Sequence, residues 1–385
     1  MKKEKLAIFT GGDIRSLGGS PKYVIELSKR LPEFDITIFT KPKKNEPQAM
    51  DYDTIHRYAN ANIREYHAPD IPVVEDRFIL TSSGIGALRE LKDYDVVYMM
   101  DHSPITNKLA QRICKKYGVR FIFGMHDSQT LRELPVRNTF VRRQLIKLYK
   151  RVRNSGIMTA PSIRVVNEYD GKKLEEMGYK GKLYYITDFI NIKTKLSDIK
   201  VNKKEFIALF ANRLGIHHKG VDFLEKIVDE VSAKNPDIHF RIVGKGEGEQ
   251  IVKGIVSKHP DCVKYLGFLS EADLRKEYQN ADLIIFPSRF ESFGLSLAEA
   301  QGYGCPGIAF RVRGPENIMK EKVQGELIKP YDTKAFAAAI IAYYKKWLLD
   351  KKQYLKAKKI ISKITMDRFG EDAIIPRIRA MLNGE

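Results

Sequence analysis

The chain has 385 residues, of which 43% are hydrophobic and 30% charged, a composition typical of a soluble globular protein with two domains of ordinary size. No apolar run is long enough to cross a membrane, and residues 6–9 (LAIF) are too short for a signal-peptide core, so they predict a first strand. Cys114, Cys262 and Cys305 are widely spaced, which argues against a disulfide framework or zinc site and favours a reducing compartment.

Strand and helix patterns alternate through the first half of the chain. Apolar runs predict strands over 6–9, 36–39, 95–100, 120–124 and 156–160, with helical patterns over 22–30, 108–116, 141–152 and 163–177. The loop between the first strand and helix contains two glycine pairs, of which Gly18 and Gly19 are the second, and it would let an anionic ligand approach the backbone. The dinucleotide fingerprint G-x-G-x-x-G is absent, so an NAD site is poorly supported, and a loop without a ligand stays the alternative.

A second alternating series follows a polar, lysine-rich stretch over 191–205, which predicts a linker. Its strand-like runs are 206–213, 238–244, 263–268, 283–288 and 306–310, and only helical sequence follows Tyr331. This order predicts an α/β protein with two Rossmann-like, doubly wound parallel-sheet domains facing across a cleft, with ligands beyond the carboxyl ends of the strands. We expect an N-terminal domain over 1–190, a C-terminal domain over 206–363, and a helix over 364–385 that packs back on the N-terminal domain.

The segment 287–310 (PSRFESFGLSLAEAQGYGCPGIAF) contains the strongest functional signal. A loop after a predicted strand contains Glu291, and a helix is expected to begin near Phe293 or Gly294, with Glu299 about two turns along it. The unpaired N–H groups of a helix start suit a phosphate or sugar oxygen, and a glycine permits close approach. Two carboxylates and an anion-binding helix end indicate a sugar-nucleotide site, the alternative being two solvated surface glutamates.

Two other strand ends hold candidate residues. Arg213 follows one predicted strand and Lys219 precedes the next helix, so the two cations could clamp a diphosphate, although either could be a solvated surface residue. His126 ends the run 120–126 (RFIFGMH), where a histidine lies near a ligand edge of the sheet. The alternative interpretation is that His126 has a structural role and pairs with Asp127.

These motifs resemble the E-x7-E signature of the family 4 glycosyltransferases: Pro-Ser after a strand, Glu, Phe-Gly, Leu, then Glu-Ala, Gly and Pro. The resemblance covers nearly the whole chain and is strong from about Phe206 to Lys329. It implies the GT-B fold and a retaining hexosyltransferase. Such an enzyme moves a sugar from a UDP- or GDP-sugar to a hydroxyl of a glycan or lipid-linked acceptor without a metal.

The resemblance also implies roles for individual residues. Glu291 would contact the donor sugar, Glu299 the ribose hydroxyls, and His126 would lie beside the sugar. The turn 265–268 (YLGF) would offer backbone groups to the base. The residues expected to be catalytic are His126, Glu291, Arg213 and Lys219. Those expected to bind the donor are Gly18, Gly19, Arg213, Lys219, Leu266, Phe293, Gly294, Leu295, Glu291 and Glu299.

We expect no cofactor and no metal, with the nucleotide sugar as a substrate. The nearest D-x-D-like strings, at 51–53 and 93–95, precede strand-like runs and so lie at the wrong end of the sheet. Two departures from the family pattern, 187–191 (TDFIN) and 313–317 (RGPEN), put local contacts to the acceptor or donor sugar in question.

The net charge of +19 needs its own explanation. Residues 112–153 contain twelve basic and two acidic residues, and an apolar stripe from Val141 to Val152 has Arg142, Arg143, Lys147 and Lys150 on its flanks. We predict attraction to anionic lipid headgroups, the alternative being a buried helix with a solvated basic rim. Nucleic acid has no supporting motif.

We therefore expect a cytoplasmic enzyme, with peripheral association at the inner membrane face left open and the oligomeric state undetermined. Two alternatives remain. One is a GT-B nucleotide-sugar epimerase or hydrolase, and the other is a non-catalytic, basic nucleic-acid- or membrane-binding protein on the same fold.

Overall fold

The structure, a computed structural model, describes residues 2–16, 18–42, 51–67, 70–71, 76–77, 81–100, 104–126, 151, 154–201, 204–234 and 237–385. The chain forms two compact units, the first made of Met1–Thr187 with Ile375–Glu385 and the second of Asp188–Ile374. Across the described ranges, no helix combines the length and the apolar character that crossing a bilayer requires.

The first unit is built on a seven-stranded sheet in the order β3-β2-β1-β6-β7-β8-β9, and every neighbouring pair is parallel. Its strands are β1 (Glu4–Thr10), β2 (Phe34–Thr40), β3 (Ala61–Glu65), β6 (Val96–Met100), β7 (Arg120–Met125), β8 (Ser162–Val165) and β9 (Lys182–Tyr185). A short antiparallel pair, β4 (Asp70–Ile71) and β5 (Asp76–Arg77), lies outside this sheet. The central strands are buried along most of their length, as expected where both faces of a sheet are covered.

Helices alternate with these strands. They include α1 (Gly19–Lys29), α2 (Tyr52–Ala59), α3 (Ser82–Glu90), α4 (Pro104–Tyr117) and α5 (Glu168–Glu176). Asp51, Thr81 and Asn167 cap α2, α3 and α5, because their side-chain oxygens accept from backbone N–H groups of the first turn.

The predicted strand over 156–160 is wrong. Residues 154–158 are helical, and the strand that follows β7 is Ser162–Val165. The pattern of an apolar run of five residues does not distinguish a buried strand from a buried helical segment. Ile157, in this run, is fully buried although it lies in a helix. The helix predicted over 163–177 accordingly begins later, at Glu168, after the Asn167 cap.

The second unit is built on a six-stranded parallel sheet in the order β12-β11-β10-β13-β14-β15. Its strands are β10 (Phe206–Ala211), β11 (Ile238–Val243), β12 (Val263–Gly267), β13 (Leu283–Phe286), β14 (Gly307–Phe310) and β15 (Gly325–Ile328). Relative to its first strand this is the order 3-2-1-4-5-6 of a Rossmann-like sheet. The predicted pair of doubly wound parallel sheets is confirmed.

The helices of this unit are α6 (Ile216–Lys219), α7 (Val221–Ser232), α8 (Glu249–Lys258), α9 (Glu271–Asn280), α10 (Leu295–Gly302), α11 (Arg313–Ile318), α12 (Thr333–Leu349) and α13 (Lys351–Phe369). A last helix, α14 (Glu371–Asn383), begins in the second unit and ends in the first.

Helix α13 supports the elements on both sides of the 287–294 loop. The hydroxyl of Tyr354 donates to the carbonyl of Asp282 at 2.9 Å, and Nζ of Lys358 donates to the carbonyl of Ala281 at 2.7 Å, so both bonds hold the start of β13. The hydroxyl of Ser362 donates to the carbonyl of Gly302 at 2.6 Å, at the end of α10. These polar groups are buried and hydrogen-bonded, so α13 is part of the core.

Candidate functional site

The candidate site in the second unit lies where the strand order reverses. The chain runs outward from β10 to β11 and β12 on one side, and from β13 to β14 and β15 on the other. At such a switch point the loops at the carboxyl ends diverge and leave a crevice for ligands. The segments after β10 and β13 contain Arg213, Lys219 at the end of α6, and Glu291, so the structure brings three predicted residues to this edge of the sheet.

Lys219 and Glu291 contact each other directly. Nζ of Lys219 lies 2.5 Å from Oε1 of Glu291, and the two side chains are 21% and 9% exposed. A charge-assisted bond of this length, largely removed from water, is stronger than an exposed ion pair. The sequence assigned these residues to different parts of a donor, whereas the structure also pairs them with one another.

Arg289, which the sequence analysis did not select, holds the two loops together. Its guanidinium donates to both carboxylate oxygens of Asp222, at 2.7 and 2.6 Å, and to the carbonyl of Ile216 at 2.7 Å. Its backbone N–H donates to the carbonyl of His218 at 2.9 Å. The guanidinium also lies 3.9 Å from the ring centre of Phe223. The short helix α6, which ends at Lys219, is therefore attached to the loop that contains Glu291.

The guanidinium of Arg289 shifts the pKa of its partner, Asp222. Its hydrogen bonds hold the pKa of the Asp222 carboxyl below its usual range, and the same bonds raise the pKa of Arg289. A sequence signal for Arg289 was present, since it lies in the string PSRFE, two residues before Glu291 and three residues after the end of β13.

Gly220 permits the close approach of these loops. Its φ is 69°, and a Cβ built on it would lie 2.0 Å from the carbonyl oxygen of Pro287. A residue with a Cβ would be strained at this left-handed φ and would collide with Pro287, so only glycine fits here. The helix predicted to begin near this position starts at Val221, with Gly220 at its N-cap.

Arg213 lies on a loop supported by the 245–249 segment (KGEGE). The backbone N–H of Leu214 donates to the carbonyl of Lys245 at 2.9 Å, and the Glu247 carboxylate accepts from the N–H of Ile216 at 2.9 Å. Arg213 itself is exposed. Its backbone is anchored through the Asn212 side chain, while its guanidinium bonds to no acceptor in the part of the chain that the structure describes.

The predicted helix after Glu291 is α10, which begins at Leu295. Gly294, at its N-cap, has φ 100°, a left-handed conformation that glycine adopts without strain. Phe293 is buried, with its ring 5.2 Å from that of Phe369, so its side chain anchors the loop and only its backbone can face a ligand. The N–H of Gly314 donates to the carbonyl of Glu291 at 3.1 Å, which places the divergent 313–317 segment against this loop.

Glu299 lies on α10 and is half-buried. One of its carboxylate oxygens accepts from the hydroxyl of Tyr278 at 3.3 Å. Tyr278 is almost completely buried, and burial raises the pKa of its phenol well above the ordinary value. Leu266 is half-buried in β12, beside Tyr265, whose hydroxyl donates to the carbonyl of Gly244 at 2.9 Å.

The remaining predicted residues belong to the first unit. His126 directly follows β7, with Nε2 2.6 Å from the hydroxyl of Tyr98 and its ring centre 5.4 Å from that of Tyr23. Gly18 is the N-cap of α1 and Gly19 its first residue, and both are exposed. Asp127, the alternative partner of His126, lies outside the described residues, as does the basic segment 141–153 apart from Arg151.

Known proteins resemble this chain. Residues 191–360 match the model of the family described as glycosyl transferases group 1. The D-inositol 3-phosphate glycosyltransferase of Nocardioides sp. is 25% identical over 362 residues, which are 84% of this chain and 77% of that protein.

Solved structures resemble it as well. HepE from Anabaena in complex with UDP matches with a TM-score of 0.74 at 16% identity, over 99% of this chain and 100% of that one. The same protein has been solved in complex with UDP-glucose. A glycosyltransferase from Rickettsia africae matches with a TM-score of 0.74 at 17% identity, over 100% of this chain and 99% of that one. At identities of 16% and 17% these matches show the fold but not the activity, and the predicted GT-B fold is confirmed.

Proposed function

We propose that this chain is a group 1 glycosyltransferase, the family whose model matches residues 191–360, and that it transfers a sugar from a UDP- or GDP-sugar to a hydroxyl of a glycan or lipid-linked acceptor. We propose further that transfer retains the anomeric configuration and needs no metal. The observation that supports this best is the Lys219–Glu291 pair at the switch point of the second sheet, which places a cation and a carboxylate side by side.

The two cations after β10 would neutralise the donor diphosphate. Arg213 is exposed and its planar fork suits phosphate oxygens. The ammonium of Lys219 has three donors, so it can keep its bond to Glu291 while donating to a phosphate. Positive charge fixed at this place stabilises the leaving nucleotide as negative charge develops on it.

The two glutamates would hold the sugar and the ribose. Glu291 precedes the start of α10 and Glu299 lies about one turn along it, so the two carboxylates are well placed for hydroxyls on successive groups of an extended donor. The first N–H groups of α10, from Leu295 onward, lie between them and suit an anionic or polar oxygen. Leu266 and its neighbours in the 265–268 turn would offer backbone groups to the base.

In the proposed reaction, the acceptor hydroxyl attacks the anomeric carbon on the face of the leaving group. The bond from that carbon to the diphosphate oxygen breaks, and the hydroxyl proton passes to the departing phosphate. His126 would orient the sugar, and Gly18 and Gly19 would lie near the phosphates or the acceptor. These roles follow from the family resemblance.

A donor screen tests the proposal. The chain is incubated with UDP- and GDP-sugars and with glycan or lipid-linked acceptors, and products are identified by mass and by the anomeric coupling in NMR. We expect a product one hexose heavier than the acceptor, with the donor's configuration kept. An inverted linkage would refute the retaining mechanism. A free sugar or an altered nucleotide sugar, formed without acceptor, would identify a hydrolase or epimerase instead.

A further inference from the structure

A buried arginine lies behind His126 in the first unit. Arg164, on β8, is completely buried, and its guanidinium is forked among four acceptors. Nε donates to the carbonyl of Ile186 at 2.9 Å and one terminal nitrogen to that of Thr187 at 2.7 Å. The other terminal nitrogen donates to the hydroxyls of Tyr23, at 2.6 Å, and Tyr98, at 2.9 Å. A charge buried this deeply is retained only where its hydrogen bonds are well satisfied, so its partners are held in place.

The register of the sheet brings these residues to His126. Gly124 of β7 pairs with Arg164 of β8 and with Met100 of β6, two residues beyond Tyr98. Because alternate residues share a face, Tyr98, Gly124 and Arg164 lie on the same face of the sheet. A Cβ on Gly124 would lie 2.7 Å from the Tyr98 ring. The missing side chain therefore lets the phenol lie across β7 and reach the imidazole.

The bond from Arg164 restricts how Tyr98 can share its proton. A guanidinium only donates, so the oxygen of Tyr98 accepts from Arg164, and the phenol has one proton that it can donate to Nε2 of His126. Nε2 of His126 lies 2.6 Å from that oxygen. A neutral imidazole has one protonated and one unprotonated nitrogen, and a partner on one nitrogen determines which is which.

We propose that Arg164 and Tyr98 hold His126 in the neutral tautomer with the proton on Nδ1, the phenol proton of Tyr98 being donated to Nε2. Arg164 and Tyr98 are then positioning residues. The catalytic consequence rests on the proposed function: any proton that His126 shares with a donor-sugar hydroxyl comes from Nδ1, and none from Nε2.

Nitrogen-15 NMR of the imidazole in the ligand-free full chain tests the tautomer. Spectra are recorded at a pH where imidazoles are neutral, and His126→Gln identifies the His126 signals among those of the eight histidines. We expect an unprotonated Nε2 and a protonated Nδ1. A protonated Nε2 in the wild type would overturn the proposal.

Tyr98→Phe tests the source of the effect, because it removes the hydroxyl and keeps the ring. In this variant we expect the ring proton of His126 to shift from Nδ1 toward Nε2. Tyr179→Phe is the matched control, since it removes another buried phenol of the same unit, one that donates to the carbonyl of Ala160 at 2.9 Å. An unchanged tautomer in Tyr98→Phe would contradict the role of Tyr98. If that variant does not fold, a wild-type coupling between the Tyr98 hydroxyl proton and Nε2 decides the same question, and its absence would count against the proposal.

Kinetics separate this inference from the proposed function. For the transferase we expect Tyr98→Phe to lower kcat about tenfold, as the loss of one hydrogen bond does, with the donor KM changed less than about twofold. Tyr179→Phe should keep its kcat. The NMR result is obtained without donor, so it stands or falls independently of whether sugar transfer is found. An equal fall of kcat in both variants would indicate a merely structural effect.

Discussion

Nζ of Lys219 and Oε1 of Glu291 lie 2.5 Å apart, although 72 residues of sequence separate them. Lys219 ends the short helix α6 and Glu291 lies on the loop after β13, so the contact joins the two loops at the switch point of the sheet. Each residue therefore sets the charge environment of the other. Substituting one also leaves the other charge without this partner in a poorly hydrated place.

This pairing predicts non-additive substitutions. Lys219→Met and Glu291→Gln should each lower kcat/KM by about a hundredfold or more, because each removes a charge from the donor site. The double variant should lose much less than the product of the two, since the second change removes a charge that is already unpaired. Steady-state kinetics of all four proteins measure the coupling.

The control for this cycle is Lys363→Met with Asp367→Asn. This pair has the same 2.5 Å separation but lies on an exposed helix face, with side chains 65% and 61% exposed. Its variants should keep the wild-type rate. If the fold-loss of kcat/KM in the double variant equals the product of the losses in the two single variants, Lys219 and Glu291 do not act as a unit.

Glu299 and Glu291 should differ in what they bind. Glu299→Ala should weaken the binding of UDP or GDP alone by about tenfold or more, because a hydrogen bond to a charged group is lost from the ribose. Glu291→Ala should leave free-nucleotide affinity nearly intact and lower turnover. Calorimetry with the free nucleotides measures both. Tyr278→Phe, which removes the phenol donor to Glu299, tests how far that bond positions the carboxylate. Equal losses of nucleotide affinity in the two glutamate variants would contradict the assignment.

The Asp222–Arg289 pair predicts a pH-dependent stability. Arg289 lowers the folded-state pKa of Asp222, whereas the unfolded value is about 3.9. A depressed pKa contributes stability that is present above the unfolded value and lost as pH falls through the folded value. The Tm of the wild type should therefore exceed that of Asp222→Asn at neutral pH, with the gap closing in acid.

Thermal unfolding of both proteins across this pH range measures the gap. Asp273→Asn, in an exposed pair with Lys276, is the control and should show a much smaller difference. Asp222→Asn should also slow turnover, because the helix that ends at Lys219 is held by the same arginine. A gap that stays constant down to strong acid would mean that the ion pair is not its source.

We predict that the reaction needs no metal because Arg213 helps to neutralise the diphosphate. If protein cations neutralise the diphosphate, activity survives EDTA, and Arg213→Ala lowers turnover by two to three orders of magnitude, roughly the cost of removing one donor to a developing charge. Lys253→Ala removes an exposed cation paired with Glu249 on α8 and should have little effect. The assay is initial rate with and without chelator. Activity abolished by EDTA and restored by manganese would contradict the prediction.

We also propose that the acceptor is presented at a membrane surface, a prediction that concerns the basic segment 141–153. Each basic residue near an anionic surface contributes about 1 kcal/mol, so a few suffice for reversible adsorption, and screening within roughly 10 Å at 0.1 M salt should weaken it. Sedimentation with anionic liposomes at low and high salt measures binding. Charge reversal at Arg142, Arg143, Lys147 and Lys150 should abolish it. The same change at Lys352, Lys356, Lys359 and Lys363 is the control. Wild-type protein that ignores anionic vesicles at low salt would indicate a soluble acceptor.

The sequence by itself was sufficient for most of the architecture. Buried parallel strands are continuous apolar runs, so β1, β2, β6, β7 and the central strands of the second sheet were predicted close to their bounds. In the two main sheets, β3, β8, β9 and β15 were missed. β3, β9 and β15 are edge strands, and their partly exposed residues give only a faint apolar pattern. β8 is an interior strand of four residues that overlaps the helix predicted over 163–177.

The candidate site was predictable as a set of loops but not as a set of contacts. Strand ends and the E-x7-E spacing placed Arg213, Lys219, Glu291 and Glu299 at one edge of a sheet, because the carboxyl ends of parallel strands meet there. The position of Arg289 beside Glu291 was visible in the sequence, but its contact with Asp222, 67 residues away, was not.

Only the tertiary structure decided which polar groups meet. The Lys219–Glu291 pair, the fork of Arg289 on Asp222, and the path from Arg164 through Tyr98 to His126 all join residues far apart in the chain. Their formation depends on strand register, on side-chain rotamers and on space left by Gly124 and Gly220. Local sequence determines which face and which end of an element a residue occupies, but the contacts are set by packing between elements that only the folded chain brings within hydrogen-bond distance.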